Sequence, residues 1–205
     1  MPNLKRRAVL LALWLGLGSA ATAQSTRDQG DWPCRQIRVP GLAIASVWTG
    51  PDIGEAAKTW RDDAELSDLV ARLAARRTPI EAAEKLVAEF AKAAGDKRKE
   101  RLTALFAGVF ARLDAERGEV IAGLDRYGRT QKDMAEKTRV KTQELRAQQD
   151  KGADAAKLAE LSEALQWDLR LFEERRKAVA FVCETPALIE QRLGALARAI
   201  LSRMY

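Results

Sequence analysis

The chain of 205 residues is long enough for one domain with a sizeable core, and its 47% hydrophobic and 31% charged residues are typical of a folded helical protein. Its net charge of +6 comes from well-mixed basic and acidic residues, which argues against the concentrated basic surface that nucleic-acid binding requires. The chain contains no histidine and no glycine-rich phosphate-binding motif, so we expect no conventional enzyme and no metal or cofactor site.

The first 23 residues have the pattern of a secretory signal peptide. A basic start is followed by an uncharged apolar run from Ala8 to Leu17 and by small residues that suit a signal peptidase. The run is shorter than the about 20 residues that span a bilayer, which favours cleavage before Gln24 over an uncleaved membrane anchor. Cleavage near Ala23 removes three basic residues and leaves 32 basic and 29 acidic ones, a net charge of +3. We therefore expect a periplasmic or secreted protein.

Residues 24–51 are predicted to be irregular. Three prolines in the stretch GDWPCRQIRVPGLAIASVWTGP rule out a continuous helix there. The stretch is nevertheless apolar, so it must pack against the rest of the protein or expose an apolar surface that promotes aggregation. We expect Trp32, Trp48 and Trp60 to fill the space between this segment and the helical body. The alternative is that Trp48 is an exposed anchor for a partner, because tryptophan is enriched at interface hot spots.

The remaining residues, 52–205, are predicted to form a helical domain. A first short helix is expected to start at Asp52, and the aspartate pair 62–63 is expected to cap the second. In the second helix, leucine and valine recur at intervals of three and four residues and therefore form one apolar face. The sequence T-P-I-E from Thr78 predicts a capping box at the start of a third helix, which Gly95 ends.

A long helix is predicted from Asp96 to about Asp150. No proline interrupts these residues, and large apolar side chains recur every seven positions. At 1.5 Å per residue such a helix is roughly 80 Å long. It therefore needs a partner helix along its length, because a compact domain of this size cannot bury it.

The partner is predicted to be the segment that follows. A short polar turn at about 150–154 leads into a second apolar pattern, so the two helices are expected to form an antiparallel hairpin over about 96–184. The pattern places the body of the hairpin near residues 100–120 and 170–185, and its polar end at the tip. A last amphipathic helix is predicted over 187–204.

Three glycines, Gly118, Gly123 and Gly128, interrupt the long helix at five-residue intervals. Each costs about 1 kcal/mol relative to alanine inside a helix. They indicate either close packing, expected near Trp167, or a bend.

The two cysteines, Cys34 and Cys183, are predicted to form a disulfide. An exported chain with no third cysteine most simply pairs the two it has. The bond would tie the irregular segment to the base of the hairpin, and the chain-entropy model assigns it roughly 5 kcal/mol at most. The alternative is a redox-sensing or intermolecular thiol.

A cluster of basic residues surrounds the predicted start of the long helix: Lys92, Lys97, Arg98, Lys99 and Arg101. Cations at a helix start oppose the helix dipole, so the cluster is not an obvious stabilising device. It could hold an anionic lipid headgroup or an acidic partner. The other interpretation is a solvated charged face.

The sequence thus predicts an all-α fold: a long coiled-coil-like helical hairpin on a small helical body, with a disulfide-anchored N-terminal segment. The predicted shape is similar to that of periplasmic holdase chaperones and of the hairpins of efflux adaptors. We expect an exported interaction or scaffolding protein that presents the hairpin to another envelope protein. The alternative is a holdase-type chaperone, and a homo-oligomer is left open. A carboxylate-based enzyme is not favoured, nor is a membrane-surface module, which would require the last helix to expose its apolar face.

Overall fold

In a computed structural model of the chain, residues 30–205 are described, and the predicted signal peptide lies outside them. Every regular element in this part of the chain is helical, so the predicted all-α fold is confirmed. The α-helices are α1 (Ala56–Thr59), α2 (Ala64–Ala74), α3 (Ile80–Ala93), α4 (Arg98–Asp150), α5 (Ala155–Cys183) and α6 (Thr185–Leu201). Short 3-10 turns occur at Ile44–Ser46, Trp60–Asp62 and Gly95–Lys97.

The predicted hairpin is present, and its first helix is α4, with 53 residues. At its tip Gly152 adopts a φ of +69°, which glycine reaches at no steric cost. The amides of Gly152 and Ala153 donate to the carbonyls of Gln149 and Gln148, both at 3.0 Å, and so close the end of α4. Asp154 then caps α5, because its Oδ1 accepts from the amide of Lys157 at 3.0 Å.

The chain that returns along α4 is longer than the sequence predicted, because it consists of both α5 and α6. The chain breaks only briefly at Glu184, and α6 then continues along α4, so that α5 packs on the second half of α4 and α6 on the first. Residues 100–120 therefore pair with α6 rather than with 170–185. The helix restarts so soon because Pro186 lies in the first turn of α6. There the missing N–H of proline costs no helical hydrogen bond, and its fixed φ suits the helix.

The body is a bundle of four helices. Helix α2 packs against the first half of α4, and α3 packs against both α6 and α4. The core between them is built by large side chains that are almost fully buried: Leu73, Val87, Leu102, Leu105, Phe106, Leu193, Leu196 and Ile200. The apolar faces predicted for these helices are the faces that the body buries.

The first two helices differ in how well the sequence predicted them. The helix expected to start at Asp52 begins only at Ala56, because the carboxylate of Asp52 accepts from the amide of Gly54 at 3.3 Å and makes a turn instead of a cap. The second is confirmed, since Asp63 Oδ1 accepts from the amide of Leu66 at 3.0 Å. Aspartate is favoured at this position for that bond.

The C-terminal carbonyls of α2 are satisfied by side chains from elsewhere. The hydroxyl of Thr78 donates to the carbonyl of Arg72 at 2.8 Å. The capping box predicted from Thr78 is absent, because Pro79 rather than Thr78 holds the N-cap position of α3 and no side chain caps the helix. Arg192 of α6 donates from Nε and Nη2 to the carbonyl of Leu73, at 2.8 and 2.5 Å. Burial at this position lowers the pKa of Arg192 from its ordinary value. These bonds join the end of α2 to the body.

The irregular N-terminal segment runs along α4 from the middle of the hairpin toward the body. Its successive contacts with α4 are Asp31 with Gly128, Arg38 with Asp125, Leu42 with Asp114 and Trp48 with Phe106. The guanidinium of Arg38 binds Asp125 at 2.8 Å, and this hydrogen bond raises the pKa of Arg38. The segment thus covers α4 on a side that α5 and α6 leave open.

Trp48 ends this path inside the core. Its side chain is only 6% exposed, its ring stacks on Phe106 with centroids 3.8 Å apart, and its Nε1 donates to the carbonyl of Pro51 at 2.7 Å. The interpretation of Trp48 as an exposed anchor is therefore wrong, because the stacked ring has no free face to offer. Trp60 is buried as well, and Trp32 is half-buried near the disulfide.

The three glycines of α4 that lie at five-residue intervals have different environments, although the helix runs through all of them. A Cβ on Gly128 would lie 1.5 Å from the backbone oxygen of Asp31, so close packing is required there. The close neighbour is the N-terminal segment and not Trp167. Nothing lies within 4 Å of a Cβ on Gly118, and a Cβ on Gly123 meets only the end of Arg126.

We expect Gly128→Ala to lower the free energy of unfolding by about 1–3 kcal/mol, because the added methyl overlaps a backbone atom that cannot rotate away. The matched control is Gly118→Ala, which meets open space and should raise the same quantity by about 1 kcal/mol. Urea denaturation measures both. Equal effects of the two substitutions would contradict the close approach of Asp31 to Gly128.

We expect Trp48→Ala to lower the free energy of unfolding by about 3–5 kcal/mol, since the substitution leaves a cavity beside Phe106. Trp167→Ala removes the same side chain from an exposed position and should change stability by no more than about 0.5 kcal/mol. Thermal and urea unfolding of the two variants distinguish the buried tryptophan from the exposed one. A similar loss of stability in both variants would contradict either the burial of Trp48 or the exposure of Trp167.

Candidate interaction surfaces

The predicted disulfide between Cys34 and Cys183 is present and joins the N-terminal segment to the end of α5. Both cysteines are buried and pack with Leu124 and Val179 in a small cluster separate from the main core. The side-chain amide of Gln36 also donates to the carbonyl of Cys183. The segment is therefore fastened where α5 gives way to α6, and no cysteine in the described part of the chain is free.

A groove of about 470 Å³ lies beside the disulfide, and we call it the basal groove. The N-terminal segment supplies Ile37 and Val39 to its lining, and the start of α6 supplies Leu188. Helix α4 contributes Arg117 and Ile121. Ile37 is 74% exposed and Leu188 is 55% exposed, so the groove presents apolar surface to solvent.

Arg117 is an unusual member of this lining, because its side chain is only 4% exposed. Its Nε donates to Oε1 of Glu190 at 2.5 Å, whereas its buried Nη1 has no hydrogen-bond partner among the described residues. Arg117 was not among the residues predicted from the sequence. The available signal was its spacing, since Arg117 lies four residues from both Leu113 and Ile121, which are buried.

A second apolar surface runs along the outer face of α5, and we call it the α5 stripe. Its members are exposed residues at intervals of three, four or seven positions, with an adjacent pair at the end: Ala164, Trp167, Leu171, Ala178, Phe181 and Val182. Trp167 is 63% exposed, and the guanidinium of Arg170 lies 5.8 Å from its ring centroid. At 3.6 residues per turn, the directions of Trp167 and Leu165 differ by about 160°, and Leu165 is the residue that α5 buries toward α4. The stripe thus lies opposite the seam that holds the hairpin together.

The basic cluster at the start of α4 is divided by the structure. Arg101 binds Asp63 at 3.2 Å and Glu65 at 2.8 Å, both at the start of α2. Its guanidinium also lies 4.9 Å from the ring centroid of Phe90 in α3. Arg101 therefore joins three helices of the body, and its charge is already compensated.

The other members of the cluster are more exposed. Arg98 donates from Nε to the carbonyl of Ala91 at 3.3 Å, near the end of α3. The ammonium of Lys99 lies 5.8 Å from the ring centroid of Tyr205, and Lys97 is exposed. For Lys97 and Lys99, binding of an anionic headgroup or an acidic partner stays a prediction.

From Gly30 onward, no helix combines the length and the apolar composition that crossing a bilayer demands. The same residues contain no group of three or more cysteine, aspartate and glutamate side chains placed to hold a metal ion. Helix α6 buries its apolar face, including Leu193 and Ile200, in the body. A membrane-surface module was predicted to require that face exposed, and the structure does not provide it.

Comparison of the chain with family models, with curated proteins and with solved structures finds no match in any of the three. The two apolar surfaces are therefore interpreted from their own geometry and chemistry.

We expect replacement of both Cys34 and Cys183 by serine to lower the free energy of unfolding by up to roughly 5 kcal/mol, because the bond closes a loop with a sequence separation of 149. Urea denaturation measures the loss. Dithiothreitol should lower the free energy of unfolding of the wild type to that of the double variant, and it should leave the value of the variant unchanged. An unfolding free energy that neither the substitutions nor the reductant alters would contradict a structural role for the bond.

Proposed function

We propose that this chain is an exported interaction or scaffolding protein that presents its helical hairpin to another protein of the cell envelope. The signal-peptide pattern of residues 1–23 supports export. The disulfide supports it as well, because such bonds persist in oxidising compartments and are rare in the cytosol. The proposal includes no catalytic activity and no cofactor.

The outer part of the hairpin, which we call the arm, consists of residues 129–150 of α4 and 155–175 of α5. It is about 30 Å long at 1.5 Å per residue, and Leu165 is its only buried residue. Two helices in contact bury one face each and leave the others in solvent. The arm therefore has little core of its own and can gain stability by binding a further helix.

The observation that carries the proposal is the exposure of Trp167 within the α5 stripe. A tryptophan that is 63% exposed, with Leu171 one turn further along α5, leaves a large apolar area in water. Tryptophan is enriched among the residues that dominate binding energy at protein interfaces. The spacing of the stripe suits an apolar helix of the partner, which would pack along α5 as α4 does on its other side.

A holdase-type chaperone is the second candidate. It is favoured by apolar side chains that are exposed outside the stripe, including Val140 of α4 and Leu169 of α5. Scattered apolar contacts of this kind suit many unfolded clients better than one folded partner. The two candidates differ in the number of proteins that the arm binds.

The test is capture from cells with a photocrosslinking amino acid in place of Glu174, which is exposed between the two halves of the stripe. We expect one partner in near-stoichiometric yield, and a loss of about tenfold or more in the Trp167→Ala and Leu171→Ala variants. Gln166→Ala is the matched control, because Gln166 is exposed on a different side of α5, and it should capture as the wild type does.

A broad range of captured proteins would favour the chaperone over the scaffold. Equal capture by the Trp167→Ala variant, the Leu171→Ala variant and the control would contradict a role for the α5 stripe. Capture of the protein's own chain alone would contradict an envelope partner and indicate self-association.

A further inference from the structure

The strongest unexplained feature outside the arm is the guanidinium of Arg117. A guanidinium carries five N–H donors, and here a single carboxylate, that of Glu190, accepts from the side chain among the described residues. The Nη1 atom is buried and without an acceptor. Leaving a buried donor of a charged group unsatisfied is unfavourable, so this position favours an acceptor oxygen.

The basal groove is where such an acceptor can be supplied, because Arg117 is part of its lining. Its volume of about 470 Å³ falls within the range of known ligand sites, about 300–1,000 Å³. Apolar side chains of the N-terminal segment and of α6, Ile37 and Leu188, are largely exposed on its two sides. A ligand that fits the groove therefore combines apolar groups with at least one hydrogen-bond acceptor.

The charges in the lining decide what kind of acceptor it is. Arg117 contributes one positive charge, whereas Glu190 and Glu184 contribute two negative ones. A carboxylate or phosphate ligand would be repelled by both carboxylates, one of which already binds the guanidinium. A neutral carbonyl oxygen accepts from the guanidinium of Arg117 without that repulsion.

The backbone beside the groove points to a peptide as the source of the carbonyl. Ile37, Arg38 and Val39 lie outside helices, and their backbones make no backbone–backbone hydrogen bond to another described residue. Such a segment can pair with an added extended strand through main-chain hydrogen bonds. The disulfide and the Arg38–Asp125 ion pair hold this segment in place on both sides of Ile37.

We infer that the basal groove binds an extended apolar peptide segment of a partner protein, with a neutral main-chain carbonyl of that segment accepting a hydrogen bond from Arg117. The apolar side chains of the peptide contact Ile37 and Leu188, and its backbone pairs with residues 37–39. This site is separate from the α5 stripe, so it does not depend on the function proposed for the arm.

The experiment is a titration of the isotope-labelled full chain with a six-residue peptide of leucine, valine and serine, acetylated at its N-terminus and amidated at its C-terminus. We expect the NMR signals of the amides of Ile37, Val39 and Leu188, and of the Nε–H of Arg117, to shift. The same peptide with a free C-terminal carboxylate should bind more weakly, because Glu184 and Glu190 oppose its charge.

Two variants and one control locate the site. Leu188→Asp adds a charge at an exposed position in the groove, and Arg117→Met removes the donor, so each should weaken binding by about tenfold or more. Leu171→Asp places the same charge on the α5 stripe and should leave the affinity unchanged. Because Leu188 is exposed, its variant tests the site even if Arg117→Met destabilises the fold.

Several results would overturn the inference. Equal weakening by Leu188→Asp and Leu171→Asp would show non-specific apolar binding, and tighter binding of the carboxylate form would contradict a neutral acceptor. Stronger shifts of the same signals with dodecanamide than with the peptide would assign the groove to a lipid-like amide. Absence of any shift at residues 37–39 with the amidated peptide would also contradict it.

Discussion

The pairing of α4 with the returning chain is the constraint on which the rest of the structure depends. A helix of 53 residues cannot be covered by a compact core, so its burial has to be distributed along its length. Helices α5 and α6 cover one side of it in turn, and the body adds α2 and α3 only at one end. The molecule is consequently well packed at the body and thin at the arm, and its apolar exposure follows from that difference.

The N-terminal segment solves a local problem that this arrangement creates. In the middle of the hairpin, where the body has ended and the arm begins, α4 has an apolar side that no helix covers. The segment lies there with few backbone hydrogen bonds of its own, so side chains hold it: a disulfide, an ion pair to Asp125 and a stacked ring at Trp48. The absence of a side chain at Gly128 lets its backbone approach the helix closely. The basal groove is a result of fitting an irregular chain against regular helices.

Much of the architecture could be predicted from the sequence because it depends on local patterns. The seven-residue spacing of apolar residues indicates α4, and a chain with two cysteines suggests the Cys34–Cys183 pair directly. The continuation of α6 along α4 was missed, because Pro186 signals a break in the chain but not the direction that follows. Arg117 was missed because a charged residue next to an apolar stripe is usually solvated. Its burial depends on Glu190, which is 73 residues away in the sequence. The α5 stripe was missed because α5 is apolar on two sides, and only the structure shows which side α4 covers.

The path of the N-terminal segment has a consequence for the order of folding. The segment is synthesised first, yet its contacts lie 72 residues away at Leu42, 87 at Arg38 and 149 at Cys34. The hairpin, by contrast, forms around a short turn, and contacts of low sequence separation form fastest. We therefore expect the segment to dock last, on a hairpin that is already assembled. Until α4 has been synthesised, Trp48 has no Phe106 ring to stack on, and until Cys183 follows, Cys34 has no partner, so the newly made chain is most prone to aggregate in this segment.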